Sequence, residues 1–145
     1  MKELKSGGFL ISKIHQLGGR VFTKLMKKYQ IEEINKAQGR ILFPLWKKDG
    51  ISINELARET ALGKSTLTSM LDRLEEAGHL RREHSRDDRR KILIFLTEKN
   101  KALQEKYIQV SKEMIDLYYD GFSDREIEQC EHYLIRLLRN LEKQF

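Results

Sequence analysis

One stretch, residues 52–97, limits the folds open to this chain of 145 residues more than any other. It reads as two short helices joined by a tight turn, followed at once by an antiparallel ribbon with a charged tip. The first helix opens at Ser52, because Ser52-Ile53-Asn54-Glu55 has capping-box spacing: the Ser hydroxyl accepts from the Glu55 N–H, and the Glu55 carboxylate reaches back. Ile53, Leu56 and Ala57 then share one helical face. Gly63 interrupts the chain where a turn is needed. The second helix spans Lys64 to Ala77, with Leu67, Met70, Leu71 and Leu74 at i, i+3, i+4 and i+7 as its buried stripe. Gly78 follows, where a helix commonly ends in a left-handed residue. Leu80 to His84 and Lys91 to Leu96 are the two strands of the ribbon.

The outward face of the second helix carries Lys64, Ser65, Thr66, Thr68 and Ser69, with Arg73 a turn later and no acid before Asp72. A helix that enters a major groove by its N-terminal end needs such a set: short polar side chains for base edges and cations for phosphates. An ordinary solvated helix face has the same composition, so the helix alone does not decide. The ribbon adds the second half of the argument. Residues 81–91 hold six Lys/Arg (Arg81, Arg82, Arg86, Arg89, Arg90, Lys91) against three acids (Glu83, Asp87, Asp88). A loop this short with three arginines can project cations into a minor groove, where a narrow groove attracts Arg. A polar hairpin turn is the alternative reading, but a helix-turn-helix followed directly by a basic hairpin is far more specific than either half.

At these residues the chain resembles the MarR (multiple antibiotic resistance regulator) family of winged helix-turn-helix transcription factors. The resemblance rests on Asn54-Glu55-Leu56-Ala57, on Ser65-Thr66-Leu67-Thr68, on Leu71-Asp72-Arg73-Leu74-Glu75, and on Gly78. It continues with Asp88-Arg89-Arg90 set five residues ahead of Leu96-Thr97, similar to the family's Asp-x-Arg wing signature. Ile34 to Leu42, with Gln38, is similar to the family's second helix, and the resemblance runs from about Phe9 to the C-terminus. Two positions depart from the pattern: Gly63, where relatives often carry a polar or acidic cap, and Asn100, where Gly is common.

The resemblance implies a mainly α fold with a small β-wing: a winged helix-turn-helix with long N- and C-terminal dimerisation helices. It implies one domain over 1–145, with a DNA-binding lobe at 35–97 and a helical dimerisation lobe at 9–29 and 98–145. The partners it implies are a second copy of the chain and a pseudo-palindromic double-stranded operator. The DNA contacts would come from Lys64, Ser65, Thr66, Thr68, Ser69, Arg73, Arg86, Asp88, Arg89 and Arg90. Among the wing residues Arg90 is expected to matter most, with Asp88 orienting it: two residues apart in a strand-like segment, they point to one side. Arg86 and Arg89 are expected to make looser phosphate contacts.

The remaining chain agrees with that architecture. Leu10, Ile14, Leu17, Val21, Leu25 and Tyr29 recur every three or four residues, which predicts a long amphipathic helix over Phe9 to Tyr29. Gly18-Gly19 in its middle costs roughly 1 kcal/mol each relative to Ala and permits a close helix approach or a kink. Asn35 to Trp46 is a second helix whose Pro44 implies a bend or a late start. Thr97 to Tyr119 is one long helix, stopped by Gly121. Ser123-Asp124-Arg125-Glu126 is another capping box, opening a last helix with Ile127, Cys130, Leu134, Leu137, Leu138 and Leu141 on one side. Apolar stripes at both ends of the chain need a partner, either each other in one bundle or a second copy; the family's dimers favour the second copy.

Charge and composition bound the rest. Net charge is +6, but residues 1–50 carry 11 Lys/Arg against 4 acids, residues 51–100 carry 10 against 9, and residues 101–145 carry 7 against 9. The basic excess therefore sits in the first third, outside the helix-turn-helix. No apolar run approaches the roughly 18 residues of a membrane span, and the N-terminus lacks the apolar core of a secretory signal, so a cytoplasmic location with no membrane partner is expected. No cofactor or metal is expected either: His15, His79, His84 and His132 lack ligand spacing, and neither Gly7-Gly8 nor Gly18-Gly19 precedes a phosphate-binding Lys-Ser/Thr. Cys130 has no base at hand and reads as a packed thiol, and no residue constellation supports an enzyme. Peroxide-sensing relatives carry a reactive Cys near the start of the first helix, and this chain has none there.

Two functional expectations remain. The first is a homodimeric regulator, in this family usually a repressor, released by a small aromatic or amphipathic anion. His15, Arg20 and Trp46 are candidates to line that site, since a cation and an aromatic ring suit an aromatic carboxylate, but the ordinary places for each, Trp46 in a core and Arg20 in solvent, are the stronger reading. The second is a regulator without a small ligand, controlled by abundance or by a protein partner.

Overall fold

The computed structural model describes residues 3–145 as six helices and a small antiparallel sheet. In chain order these are α1 (Gly7–Lys28), α2 (Lys36–Lys47), β1 (Ile51–Ser52), α3 (Ile53–Thr60), α4 (Lys64–Glu76), β2 (Leu80–His84), β3 (Ile92–Leu96), α5 (Glu98–Tyr118) and α6 (Asp124–Glu142). The chain forms two compact units, one ending at Ser111 and the other beginning at Lys112. None of the helices is long and apolar enough to cross a membrane.

In the first unit the helix-turn-helix packs its apolar stripe as the spacing requires. Leu67, Leu71 and Leu74 of α4 and Leu56 of α3 are fully buried, against Ile41, Leu42 and Leu45 of α2 and Ile94 of β3, while Met70 is half-buried at the edge. Each such leucine contributes about 1.5–3 kcal/mol relative to exposure, so this small set dominates the local energetics. Gly39 of α2 lies against the buried Tyr107 of α5, and an added Cβ there would overlap the Tyr107 hydroxyl. The Tyr107 ring is held between Phe22 (5.7 Å) and Trp46 (4.2 Å), so it has little room to withdraw. Gly78 adopts φ +82°, the left-handed conformation that stops α4 and turns the chain into β2.

Several local readings change. The Ser52 hydroxyl accepts from the Glu55 N–H at 3.1 Å, but this half of the expected capping box stands alone, because the Ser52 backbone also closes β1, in register with Leu93. A complete box forms instead at Asn35 and Gln38, which start α2 at Lys36; Pro44 therefore sits inside the helix and does not mark a late start. The turn between α3 and α4 takes its left-handed residue at Ala61 (φ 55°), whereas Gly63 is extended (φ −64°, ψ 151°). Gly18-Gly19 leaves α1 continuous; the absent Cβ at Gly19 makes room for the Lys36 side chain. The ribbon is a three-stranded sheet in the order β1-β3-β2, with Leu80 opposite Leu96 and His84 opposite Ile92. Lys91 lies in the tip, not in β3.

In the second unit, Ser123 and Glu126 complete the expected capping box of α6. Tyr119 and Phe122 meet edge to face at 5.6 Å, and the Tyr119 hydroxyl donates to Glu131 at 3.1 Å. No residue of α6 is buried; Leu134, Leu137, Leu138 and Leu141 are all exposed.

Candidate nucleic-acid interface

α4 offers its N-terminal end outward. Lys64, Ser65, Thr66, Thr68, Ser69 and Arg73 are all exposed, whereas Leu67 between them is buried, so burial of the stripe turns the polar set to solvent. Gly63 supplies no side-chain cap, and the first turn holds no acid. The leading backbone N–H groups and the positive end of the helix dipole are thus left without an internal counterpart.

Farther along the helix, Asp72 and Glu75 would place negative charge beside that face. Both are taken up by Arg82 of β2, whose guanidinium lies 2.6 Å from Asp72 and 3.0 Å from Glu75, and whose backbone N–H donates to Glu75 at 2.9 Å. The side-chain hydrogen bond to Arg82 holds the Glu75 carboxyl below the usual carboxylate range, and the same bond raises Arg82. Arg82 therefore straps the wing to the helix and is not free for a ligand. Arg81 is likewise engaged, with Glu83 at 2.9 Å and stacked over the Phe95 ring.

The tip of the wing is closed by backbone–backbone hydrogen bonds and by side chains reaching backbone. Ser85 N–H donates to the Lys91 carbonyl (2.9 Å), Lys91 N–H to the Asp88 carbonyl (2.9 Å), and His84 Nδ1 faces the Arg89 carbonyl (2.8 Å). A carbonyl only accepts, so Nδ1 carries the His84 proton. Asp88 accepts from both the backbone N–H and the Nε of Arg90, each at 3.1 Å. The pair forms as expected, but by a tight turn and not by strand alternation: residues 85–91 lie outside both strands, and an Asp side chain readily bonds the backbone two residues on. Arg90 remains 92% exposed while its partner is 32% exposed, so the carboxylate anchors a guanidinium that still faces solvent. That hydrogen bond lowers the Asp88 pKa, keeping the anchor ionised. Arg86, Arg89 and Lys91 are exposed, with no ion pair among the described residues.

A row of short polar side chains at a helix N-terminus and a rigid tip carrying free arginines make one chemistry available: binding a polyanion whose edges carry hydrogen-bonding groups. Comparison with known proteins agrees. The MarR family model matches residues 34–92. The organic hydroperoxide resistance transcriptional regulator of Bacillus subtilis is 30% identical over 102 residues, which cover 70% of this chain and 68% of that protein. The chain belongs to the MarR family. It is also similar to the transcriptional regulator TtmR of Methylorubrum extorquens, 38% identical over 88 residues, 61% of this chain, although the match spans only 44% of TtmR. A solved mutant MarR from E. coli shares the fold with a TM-score of 0.79 at 24% identity, covering 90% of this chain and 92% of that one. As a member of this family the chain is a DNA-binding transcriptional regulator and not an enzyme.

The residues offered to a small ligand have different neighbours. His15 Nε2 lies 3.4 Å from Lys36 Nζ, Arg20 is exposed, and Trp46 donates its indole N–H to Asn100 at 2.7 Å while packing on Tyr107. A groove of about 460 Å³ is lined by Phe22, Met26, Ile31 and Ile34, with Lys27, Lys36 and the acid Glu32 at its polar edge; none of the three lines it. Two features escaped the sequence reading. The Arg82 strap had a weak signal, the acids Asp72 and Glu75 three residues apart on one helix face. The buried chain Trp46–Asn100–His79 had only the departure at Asn100 to mark it.

Proposed function

We propose that this regulator acts as a homodimer that reads a pseudo-palindromic operator, inserting α4 into successive major grooves and resting the wing arginines in the flanking minor groove. The observation that carries the reading is the exposed Lys64–Ser69 face beside a wing whose Asp88 pre-orders Arg90. The E. coli MarR mutant of the same fold is complexed with operator DNA, which supports the docking mode. Exposed apolar residues on the N-terminal half of α1 (Phe9, Leu10, Ile14, Leu17) and along α6 (Leu134, Leu137, Leu138, Leu141) supply the surface for a second copy. Repression relieved by a small amphipathic anion is the regulatory reading, with the apolar groove between α1 and α2 as the receptor, Lys27 and Lys36 outnumbering Glu32 at its polar edge, and His15 reaching it through Lys36.

The test is selection of duplexes from a random pool, followed by titration of the winner across salt. Two half-sites about one helical turn apart are expected. The log–log salt slope should be steep, near −0.9 per neutralised phosphate. Selection of single strands, or a salt-independent affinity, refutes the docking mode.

A further inference from the structure

His79 is the first residue after the glycine that ends α4, and the fold holds its backbone from two sides. Its N–H donates to Leu74 of α4 at 2.9 Å, and its carbonyl accepts from Thr97 at the start of α5 at 3.1 Å. The Thr97 hydroxyl donates to Gly78 at 2.6 Å, and Lys99 Nζ donates to Ala77 at 2.8 Å. The ring itself is completely buried. Any movement of the ring is therefore felt at the joint between α4 and the wing.

The hydrogen bonds around the ring determine where its proton is. The Trp46 indole N–H can only donate, so the Asn100 atom 2.7 Å from it is the amide oxygen. The Asn100 NH2 then faces His79 Nδ1 at 3.2 Å, and Nδ1 must be the nitrogen with the lone pair. The proton of the neutral ring sits on Nε2, an atom without a hydrogen-bond partner. Its nearest acceptor is Glu33 Oε2, 3.5 Å away on the link between α1 and α2 and half exposed. Glu33 also lies 3.6 Å from Lys99 Nζ. Glu33 and Lys99 are the charged groups that act on the ring.

A second proton, on Nδ1, sets N–H against N–H. Turning the Asn100 amide over relieves that contact but places its NH2 against the Trp46 N–H. No orientation of Asn100 satisfies both Trp46 and a charged His79. The charged ring instead gains attraction toward Glu33, on the opposite side. We infer that His79 is a proton-sensitive positioning residue: protonation breaks the Trp46–Asn100–His79 chain, loosens the joint between α4 and the wing, and weakens duplex binding. Burial, with help from Lys99 and against Glu33, lowers the His79 pKa below the ordinary histidine value, so the transition falls on the acid side of about pH 6.5. This departs from the family's pattern at Asn100, where the common Gly has no amide to offer.

The chain contains one tryptophan, and it is Trp46, so its emission reports the network without DNA. On acidification from pH 8 to pH 5, roughly spanning the ordinary histidine value, wild type should show an emission shift below about pH 6.5 with helical circular dichroism unchanged. His79→Gln, which can accept from Asn100 at every pH, should show none. Duplex affinity, measured at fixed ionic strength with a duplex selected from a random pool, should fall by about two- to tenfold over the same range for wild type, as for one lost hydrogen bond between neutral groups. It should stay level for His79→Gln. An identical pH profile in wild type and His79→Gln overturns the inference. A side-chain 15N spectrum of wild type decides it even if the variant does not fold: the Nε2–H tautomer at neutral pH supports it, and an Nδ1–H tautomer or a charged ring overturns it. Failure of duplex binding alone, with the emission shift and tautomer as expected, would count against the DNA-docking mode and leave the emission result supporting the network.

Discussion

Replacing Arg82 by Ala tests whether the wing is strapped to α4 by charge. In the structure one guanidinium serves two carboxylates, Asp72 at 2.6 Å and Glu75 at 3.0 Å, and its own side chain is 24% exposed. Hydrogen bonds to charged groups contribute about 1.5–3 kcal/mol, but exposed ion pairs contribute only about 0.2–1 kcal/mol. The carboxylates are 56% and 38% exposed, so each pair belongs nearer the lower range, at about 0.5–1 kcal/mol. Removing Arg82 also leaves two acids three apart on α4 to repel by about 0.2–0.5 kcal/mol, and strips an aliphatic stem from the sheet. The expected loss is therefore about 2 kcal/mol, which for a chain of this size lowers Tm by roughly 4–8 °C. Urea unfolding at one protein concentration is the assay, because an oligomer's apparent stability depends on concentration. Arg82→Lys keeps the charge without the planar fork and should recover about half. The pH dependence supplies an independent check. Glu75 titrates below its ordinary value when Arg82 is present, so the strap's contribution is complete above that value and is lost as the pH falls through the lowered one. The gap between wild type and Arg82→Ala must then narrow on acidification below about pH 4.5. A variant within about 0.5 kcal/mol of wild type at pH 7, the ordinary range for an inconsequential surface substitution, would refute the strap.

Other expectations concern the wing, the second copy and the core. Arg90→Ala should weaken binding to a selected duplex at least about fivefold more than Arg89→Ala, since only Arg90 is ordered before docking. Asp88→Ala should also weaken binding; if it tightens binding, Asp88 merely repels phosphate and orients nothing. Light scattering should give about twice 17.2 kDa for wild type. Leu137→Asp should shift that mass toward the monomer, and a monomeric wild type at micromolar concentration contradicts the dimer. Gly39→Ala gains up to about 1 kcal/mol of helix propensity but forces the Tyr107 hydroxyl aside against rings at 4.2 and 5.7 Å, so overpacking of about 1–3 kcal/mol should win. Calorimetry of Gly39→Ala with and without Tyr107→Phe should show the second change offsetting part of the first; simple additivity would mean the hydroxyl is not the obstacle.

What the amino-acid order determined by itself is what short-range geometry controls. The i, i+3, i+4 stripe of α4, its stop at Gly78, the Ser123–Glu126 cap and the two wing strands are set by neighbours within one or two turns, and they stand as read, within a residue at most ends. Which polar residues face outward on α4 follows from the same stripe, because burying three leucines leaves the intervening Ser, Thr and Lys no other direction. Tertiary structure decided what distant partners consume. Arg82 and Arg90 are equal cations in the sequence, yet one is tied to α4 and the other faces solvent, because only the fold brings Asp72 and Glu75 to β2. Trp46, for which the sequence left both a core and a ligand-site placement open, packs on the core and gives its N–H to Asn100, 54 residues away, and the two-residue strand β1 exists only because β3 returns beside it. The left-handed residue fell at Ala61 and not Gly63 for the same reason: the packing of α3 against α2 and α4 dictates where the chain must turn, and it imposes on Ala a conformation that costs about 1–2 kcal/mol, small beside the leucines it helps to bury.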